Sequence, residues 1–239
     1  MRKFLIGLLA LPFIALAQDK TVVSVNRVFP KQDKVQMFEK ALAAHAQKYH
    51  KGDFAWRVYS IESGPDAGGY HITEGPASWD AFDKRGDLGA EHTADWDRNV
   101  APLLTDRVSN SYSVFRPELS SVELTAYSDK ISITHVYPKP GYSGDLEEML
   151  KKLKKVWDAS GQTIAVYESS GSGEPQMALV TRYKQGLKER ERNFRAPMKE
   201  RYESANGSGS WESYTQSIRS GVERSWSEML FLKPALGSK

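Results

Sequence analysis

Along the chain, Val23, Val25, Arg27 and Phe29 alternate with Ser24, Asn26 and Val28, a two-residue period rich in β-branched side chains that Pro30 ends. The pattern predicts a strand. After Asp33, which has the chemistry of an N-cap, Val35, Phe38, Leu42, Ala46 and Tyr49 recur at three- and four-residue steps as far as Gly52. That spacing predicts an amphipathic helix. Two strands, 54–61 and 69–73, then flank a turn at Gly64-Pro65-Asp66. Residues 79–85 and 88–104 have helical patterning, and 109–115 alternate again.

The same pattern returns further on. Val23 to Pro30 (VSVNRVFP) matches Ile131 to Pro138 (ISITHVYP) at an offset of 108 residues, and the offset holds without a gap for about fifty positions. Phe38, Leu42 and Tyr49 fall on Leu146, Leu150 and Trp157, Val58-Tyr59 on Val166-Tyr167, and Ile72-Thr73 on Val180-Thr181. Near the ends, Phe115-Arg116-Pro117 aligns with Leu232-Lys233-Pro234 at an offset of 117, and the Gly/Ser stretch 206–210 is the natural place for the extra residues. The chain therefore divides into a first copy (18–119), a connection (120–129) and a second copy (130–239). Each copy reads as a ferredoxin-like βαββαβ unit, whose helices cover one sheet face and leave the other bare. The expected fold class is α+β, with the two bare faces packed sheet to sheet as a pseudo-dimer, an intramolecular dimeric α+β barrel.

The order of elements, the passage Thr73-Glu74-Gly75-Pro76-Ala77-Ser78-Trp79-Asp80-Ala81-Phe82 and the later Glu91-His92 resemble the dimeric α+β barrel superfamily. The closer likeness is to antibiotic-biosynthesis-monooxygenase-like domains, here in tandem. The resemblance implies an oxygenase-type or ligand-binding barrel. Asn26, Phe82 and His92 resemble the Asn, Trp and His set of haem-degrading monooxygenases, in which the His ligates iron and the Asn faces the oxygen side. The resemblance thus implies haem as a cofactor held by His92, with Asn26 and His92 as the catalytic pair. Phe82 in place of Trp argues against the ring distortion that degradation requires. The second copy has Thr134, Arg190 and Glu200 at the three positions, so any site belongs to the first.

Composition bounds the setting. Met1-Arg2-Lys3, an apolar run from Phe4 to Ala15 and the small-x-small box Ala15-Leu16-Ala17 predict a signal peptide cleaved before Gln18, and hence export to the periplasm or beyond. The apolar run is shorter than the ~20 residues that span a bilayer, so no transmembrane segment is expected. Loss of Arg2 and Lys3 takes the formal charge from +3 to +1, which divides into −2 over the first copy and +3 from Ser120 onward. The absence of Cys excludes disulfides, thiol nucleophiles and thiolate metal sites.

The candidate pocket lies between helices and sheet of the first copy. It is expected to take an aromatic or haem-like small molecule, with Arg57, Tyr59, Tyr70, His71, Trp79, Phe82, Trp96 and Tyr112 as its lining. His71 is expected at an exposed strand edge, and Arg27 and His135 are compatible with outward-facing positions. Among the histidines only His45 and His50 are close in sequence, and five residues do not share a helix face, so the pattern does not predict a His-ligated metal site. A rival reading is a non-catalytic envelope-interaction protein using Lys151, Lys152, Lys154 and Lys155. The expected partner is a small molecule and not nucleic acid, and a homo-oligomer is compatible.

Overall fold

The first strand, β1 (Val22–Pro30), realises the predicted alternation: Val23, Val25 and Arg27 point one way, Ser24 and Asn26 the other. A computed structural model describes residues 19–239, so the predicted signal peptide and its cleavage point lie outside the described residues. Helix α1 (Val35–Tyr49) buries Phe38, Leu42, His45 and Ala46, positions that share one face of a 3.6-residue period. Asp33 does not cap it. It lies in a preceding 3₁₀ turn (Gln32–Lys34), and no side chain caps α1.

The hairpin β2 (Trp56–Ser63) and β3 (Tyr70–Ala77) follows, then α2 (Trp79–Arg85), α3 (Ala90–Asp95) and β4 (Leu104–Phe115). The single helix expected over 88–104 is interrupted. After α3 the backbone widens into a π turn at Trp96–Val100, and a 3₁₀ turn with Pro102, which has no N–H to donate, leads into β4. The second half runs β5 (Lys130–Pro138), α4 (Ser143–Ala159), β6 (Ile164–Ser169), β7 (Met177–Arg182), α5 (Met198–Asn206), α6 (Ser210–Gly221) and β8 (Val222–Leu232). Gly207 and Gly209, at φ +99° and +77°, part α5 from α6 at the expected insertion.

The strands form one closed barrel in the order β1-β3-β2-β8-β5-β7-β6-β4. The halves read β4-β1-β3-β2 and β8-β5-β7-β6, the same order twice. The expected barrel is present, but it is not built from two sheets lying face to face as separate layers. Their edges join instead, through Ser113↔Ser169, Val114↔Glu168 and Phe115↔Tyr167 on one side and Tyr59↔Leu232, Ser60↔Phe231 and Ile61↔Leu230 on the other. The β4–β6 seam is short, so β4 from Leu104 to Ser111 pairs with β1 alone, whereas the stretches of edge that do join are withdrawn from solvent.

Closure fixes where each face goes. Val28, Phe38, Leu42, Trp56, Val58, Ile72 and Val100 pack between α1 and the outer face of the first half. Leu146, Leu150, Leu153, Val156, Trp157 and Val166 do the same beneath α4 in the second. Tyr59, Ile61, Phe115, Ile131, Ile133 and Leu230 fill part of the interior. His71 is not at an edge: β3 is bonded to β1 and β2 on either side, and the ring is buried in the barrel. Arg27 and His135 likewise face inward and are buried.

These inward polar groups meet at Glu228 of β8, whose side chain is fully buried. Arg27 donates to both its carboxylate oxygens and also pairs with Asp66 at 2.6 Å, while His135 Nε2 donates at 2.9 Å. Gly64, at φ +96°, lets the β2–β3 turn close over this point, because a Cβ there would sit 2.9 Å from the Glu228 Cβ. Removing one partner of a buried pair leaves the other charge uncompensated, at about 3–5 kcal/mol. Glu228→Leu is therefore expected to lower the thermal midpoint by about 10 °C, at 2–4 °C per kcal/mol for a chain of this size. The double variant Arg27→Met/Glu228→Leu should recover most of that loss in a circular-dichroism melt.

Candidate functional site

A cleft of about 550 Å³ opens on the outer face of the first half, bounded by Ser24 and Asn26 of β1, Glu74 of β3, α1, and the α2–α3 segment. Three imidazoles converge in it. His45 lies on the buried stripe of α1, three residues after Leu42. His50 follows the last turn of that helix, in extended backbone, and its amide donates to the Ala46 carbonyl at 3.0 Å. A 3₁₀ turn at Gly52–Phe54 then sends the chain into β2, and the His50 ring stacks on Trp56 with centroids 3.6 Å apart. His92 comes from α3 at the rim. The His45 Nε2 lies 3.2 Å from His92 Nε2 and 3.4 Å from His50 Nε2.

Carboxylates hold two of the rings from behind. His45 Nδ1 donates to Asp95 at 2.7 Å, and His50 Nδ1 donates to Glu74 at 3.0 Å. Glu74 in turn accepts from Trp56 Nε1 at 2.7 Å and from both terminal nitrogens of Arg85, and Asp95 accepts from Asn99 at 2.9 Å. The hydrogen bond from His45 pulls the Asp95 carboxyl below its ordinary range. Burial pushes the His50 imidazole down, against the opposing pull of Glu74, and burial with neighbouring His45 lowers His92. For His50 and His92 the neutral ring is the favoured state. The buried Oδ1 of Asn26, in the same cleft, has no hydrogen-bond partner.

A second cavity, about 540 Å³, occupies the barrel interior. Arg27, Arg57, Tyr59, His71, Tyr167, Arg182, His135 and Trp226 are among its walls. Tyr127, from the segment joining the halves, lies under Arg57, 3.7 Å from guanidinium carbon to ring centre, and near Arg182. Burial raises the Tyr59 hydroxyl to about 12. His71 Nδ1 is buried without a partner, and burial, with Arg27 and His135 nearby, holds this imidazole well below its usual range.

The residues singled out from sequence thus divide between two places. Asn26, His92, Trp96 and Tyr112 line the cleft; Arg57, Tyr59 and His71 line the interior. Trp79 and Phe82 form an aromatic group with Tyr112 beside the cleft. Tyr70 packs on Phe38 and donates to Glu39. His45, His50, Glu74, Arg85 and Asp95 were not expected there. His45 alone carried a signal, its place on the apolar stripe of α1. In the second half the corresponding space is filled by Tyr202 with Trp211, Tyr214 and Met198, and the three His positions become Leu153, Asp158 and Glu200. Of the lysines on α4, the exposed Lys151 is paired with Glu147 and Glu148, and the half-buried Lys154 with Asp158.

No protein-family model and no curated protein matches the chain. Solved structures do. An anthrone oxidase-like protein superposes with a TM-score of 0.59 at 14% identity, covering 90% of this chain and 92% of that one. A protein from Fusobacterium nucleatum, provisionally described as a monooxygenase, gives 0.55 at 12%, covering 88% and 91%. A mutant chlorite dismutase from Candidatus Nitrospira defluvii, in complex with cyanide, gives 0.51 at 8%, covering 90% and 92%. These are dimeric α+β barrel proteins, and at such identity the likeness shows a shared fold alone.

Haem, which the likeness of Asn26 and His92 to haem-degrading monooxygenases implies, does not fit the donors present. A haem iron offers a protein only its two axial positions. With His45 Nε2 3.2 Å from His92 Nε2, a macrocycle seated on His92 would need the space of the His45 and His50 rings.

The buried His71 sets a pH response. The unfolded chain takes up a proton near 6.5 that the native ring refuses, so stability falls as pH drops below that value toward the depressed native one. The slope is at most about 1.4 kcal/mol per pH unit for one group. His71→Gln is expected to narrow the difference in melting temperature between about pH 7.5 and pH 5.5; an unchanged difference would show that another group sets it.

Proposed function

We propose that the chain is an exported, small-molecule-binding protein of the monooxygenase-like α+β barrel type. In this reading two ferredoxin-like repeats, 18–119 and 130–239, are joined by 120–129, and the ligand sits in the cleft of the first. The asymmetry of the halves supports it most directly. Their strand order is the same, yet the space over the first is an open cleft lined by imidazoles while that over the second is packed with Tyr202, Trp211 and Tyr214. A fold needs no unfilled cleft on one side only, and buried neutral bases in a concavity are the marks of a functional site. Trp56, Trp96 and Tyr112 offer ring faces, and Asn26 and the imidazoles offer polar anchors, so the ligand class is a flat aromatic bearing a hydroxyl or keto group.

A second reading, an oxygenase needing no bound cofactor, is favoured by one observation. His92 is kept neutral at the cleft rim and can take a proton from such a ligand, with Asn26 holding its polar group. The envelope-interaction reading is weakened by the pairing of Lys151 and Lys154 on their own helix.

Anthrone is a suitable probe. Titrated into metal-free protein lacking residues 1–17, it should quench tryptophan fluorescence with a stoichiometry of one. Ser24→Phe, which fills the cleft from the sheet, should weaken binding at least about tenfold, or roughly 1.4 kcal/mol. Ala178→Phe, which fills the barrel interior, should leave it unchanged. The opposite pattern would move the ligand into the barrel and defeat this proposal. Aerobic consumption of bound anthrone that disappears in His92→Ala and Asn26→Ala would establish the second reading.

A further inference from the structure

We infer that His45, His50 and His92 form a site for a single divalent late transition-metal ion of the zinc or copper type, bound through their Nε2 atoms and open on the cleft side. The inference deepens the ligand-binding reading, since the ion would stand where the ligand's polar group arrives, but it rests on different observations.

The first is spacing. In a tetrahedral set with metal–nitrogen bonds of about 2.0–2.1 Å, ligand nitrogens stand about 3.3 Å apart. The His45 Nε2 is 3.2 Å from one partner and 3.4 Å from the other, and the ligand atoms of all three rings lie within 4.8 Å of one another. His92, at the rim and only partly buried, is the ring free to close the set.

The second is proton placement. A carboxylate can only accept, and Glu74 lies nearer to His50 Nδ1, at 3.0 Å, than the donor Arg85 Nη2, at 3.4 Å, so the Nδ1 atoms of His45 and His50 carry the hydrogens they give to Asp95 and Glu74. Both Nε2 atoms are then bare lone pairs. Two acceptors facing each other at 3.4 Å, on side chains 0% and 2% exposed, repel; a hydrogen on His92 Nε2 would satisfy the His45 lone pair alone, whereas a cation between the rings satisfies both. A backing carboxylate that fixes the tautomer and raises ligand basicity is the usual outer support of a metal-bound imidazole, and here it occurs twice, with Glu74 itself anchored by Trp56 and Arg85.

The third is the chemistry of the donors. Three neutral nitrogens without a thiolate suit zinc, copper, nickel or cobalt and do not suit calcium or magnesium, which require oxygen ligands. Three protein ligands leave a position for water or for the oxygen of a ligand. The partnerless Asn26 Oδ1 lines the same cleft and can accept a hydrogen bond from that water. The set has no structural duty shared by both halves, since Leu153, Asp158 and Glu200 replace it in the second.

The test uses the chain without residues 1–17, stripped with a chelator, then titrated with Zn²⁺ by calorimetry and with Co²⁺ by visible absorption. One ion per chain is expected, with cobalt d–d bands of four- or five-coordinate intensity. His92→Ala, on a short rim helix outside the core, should keep the melting temperature of the stripped protein and lose the bands, with Zn²⁺ affinity falling at least 100-fold. Asp95→Asn should retain the stoichiometry and weaken binding by about 10–100-fold. Zn²⁺ binding of equal strength in His92→Ala, or none in the parent chain, would overturn the inference. Anthrone titration of the stripped protein is the separate arm: binding there with no Zn²⁺ site sinks the metal and spares the ligand reading, and the reverse result does the opposite.

Discussion

Everything in this molecule depends on two short runs of backbone hydrogen bonds that sew the halves together, β4 to β6 and β2 to β8. Without them each half is a four-stranded sheet with a bare face and two open edges. With them the faces become an interior, the joined stretches of edge are paired, and strand residues alternate between two environments. The Glu228 cluster follows from that closure, because Arg27 and Asp66 belong to the first half while His135 and Glu228 belong to the second. Charges from both halves meet where neither half alone would bury them.

The period of two along β1 is the means by which one strand serves two cavities. Arg27 looks into the barrel and Asn26, its neighbour, looks out to the imidazoles. The two regions are a backbone's thickness apart and chemically opposed. The interior sets guanidinium against carboxylate and ring, whereas the cleft sets neutral imidazole against carboxylate. Register is what keeps them distinct, since a slip by one residue would exchange the faces.

Many of the elements could be read from residue order. β1, α1 and the hairpin lie where periodicity places them, and β5, α4, β6 and β7 lie near the positions 108 residues further on, because paired strands and a covering helix impose their spacing on the chain. The barrel was expected from likeness to a known family, but which edges close it could not be read, because that depends on strand order in space. The cleft was half visible. His92 and Asn26 stood out by likeness to a known pattern, and His45 lay on the apolar stripe. His50 was hidden by its position just beyond a helix end, where the extended backbone and the following 3₁₀ turn fold its ring back beneath α1. Spacing rules for ligands on one helix face do not cover such a place. Glu74 and Arg85 were hidden for a similar reason, since only the hairpin and α2 bring them behind His50.

The segment between the halves carries a last consequence. Tyr127 lies between Arg57 of one half and Arg182 of the other, and Arg182 also donates to the carbonyls of Glu123 and Ala126. A barrel assembled from two separate chains must recover the entropy of their meeting at whatever concentration they find themselves. Here the linker makes that encounter intramolecular, so the effective concentration of one half about the other is a property of the polypeptide and does not fall on dilution. The barrel can close as a monomer, and the two halves, freed from any need to be identical, can diverge into one that is open and one that is filled.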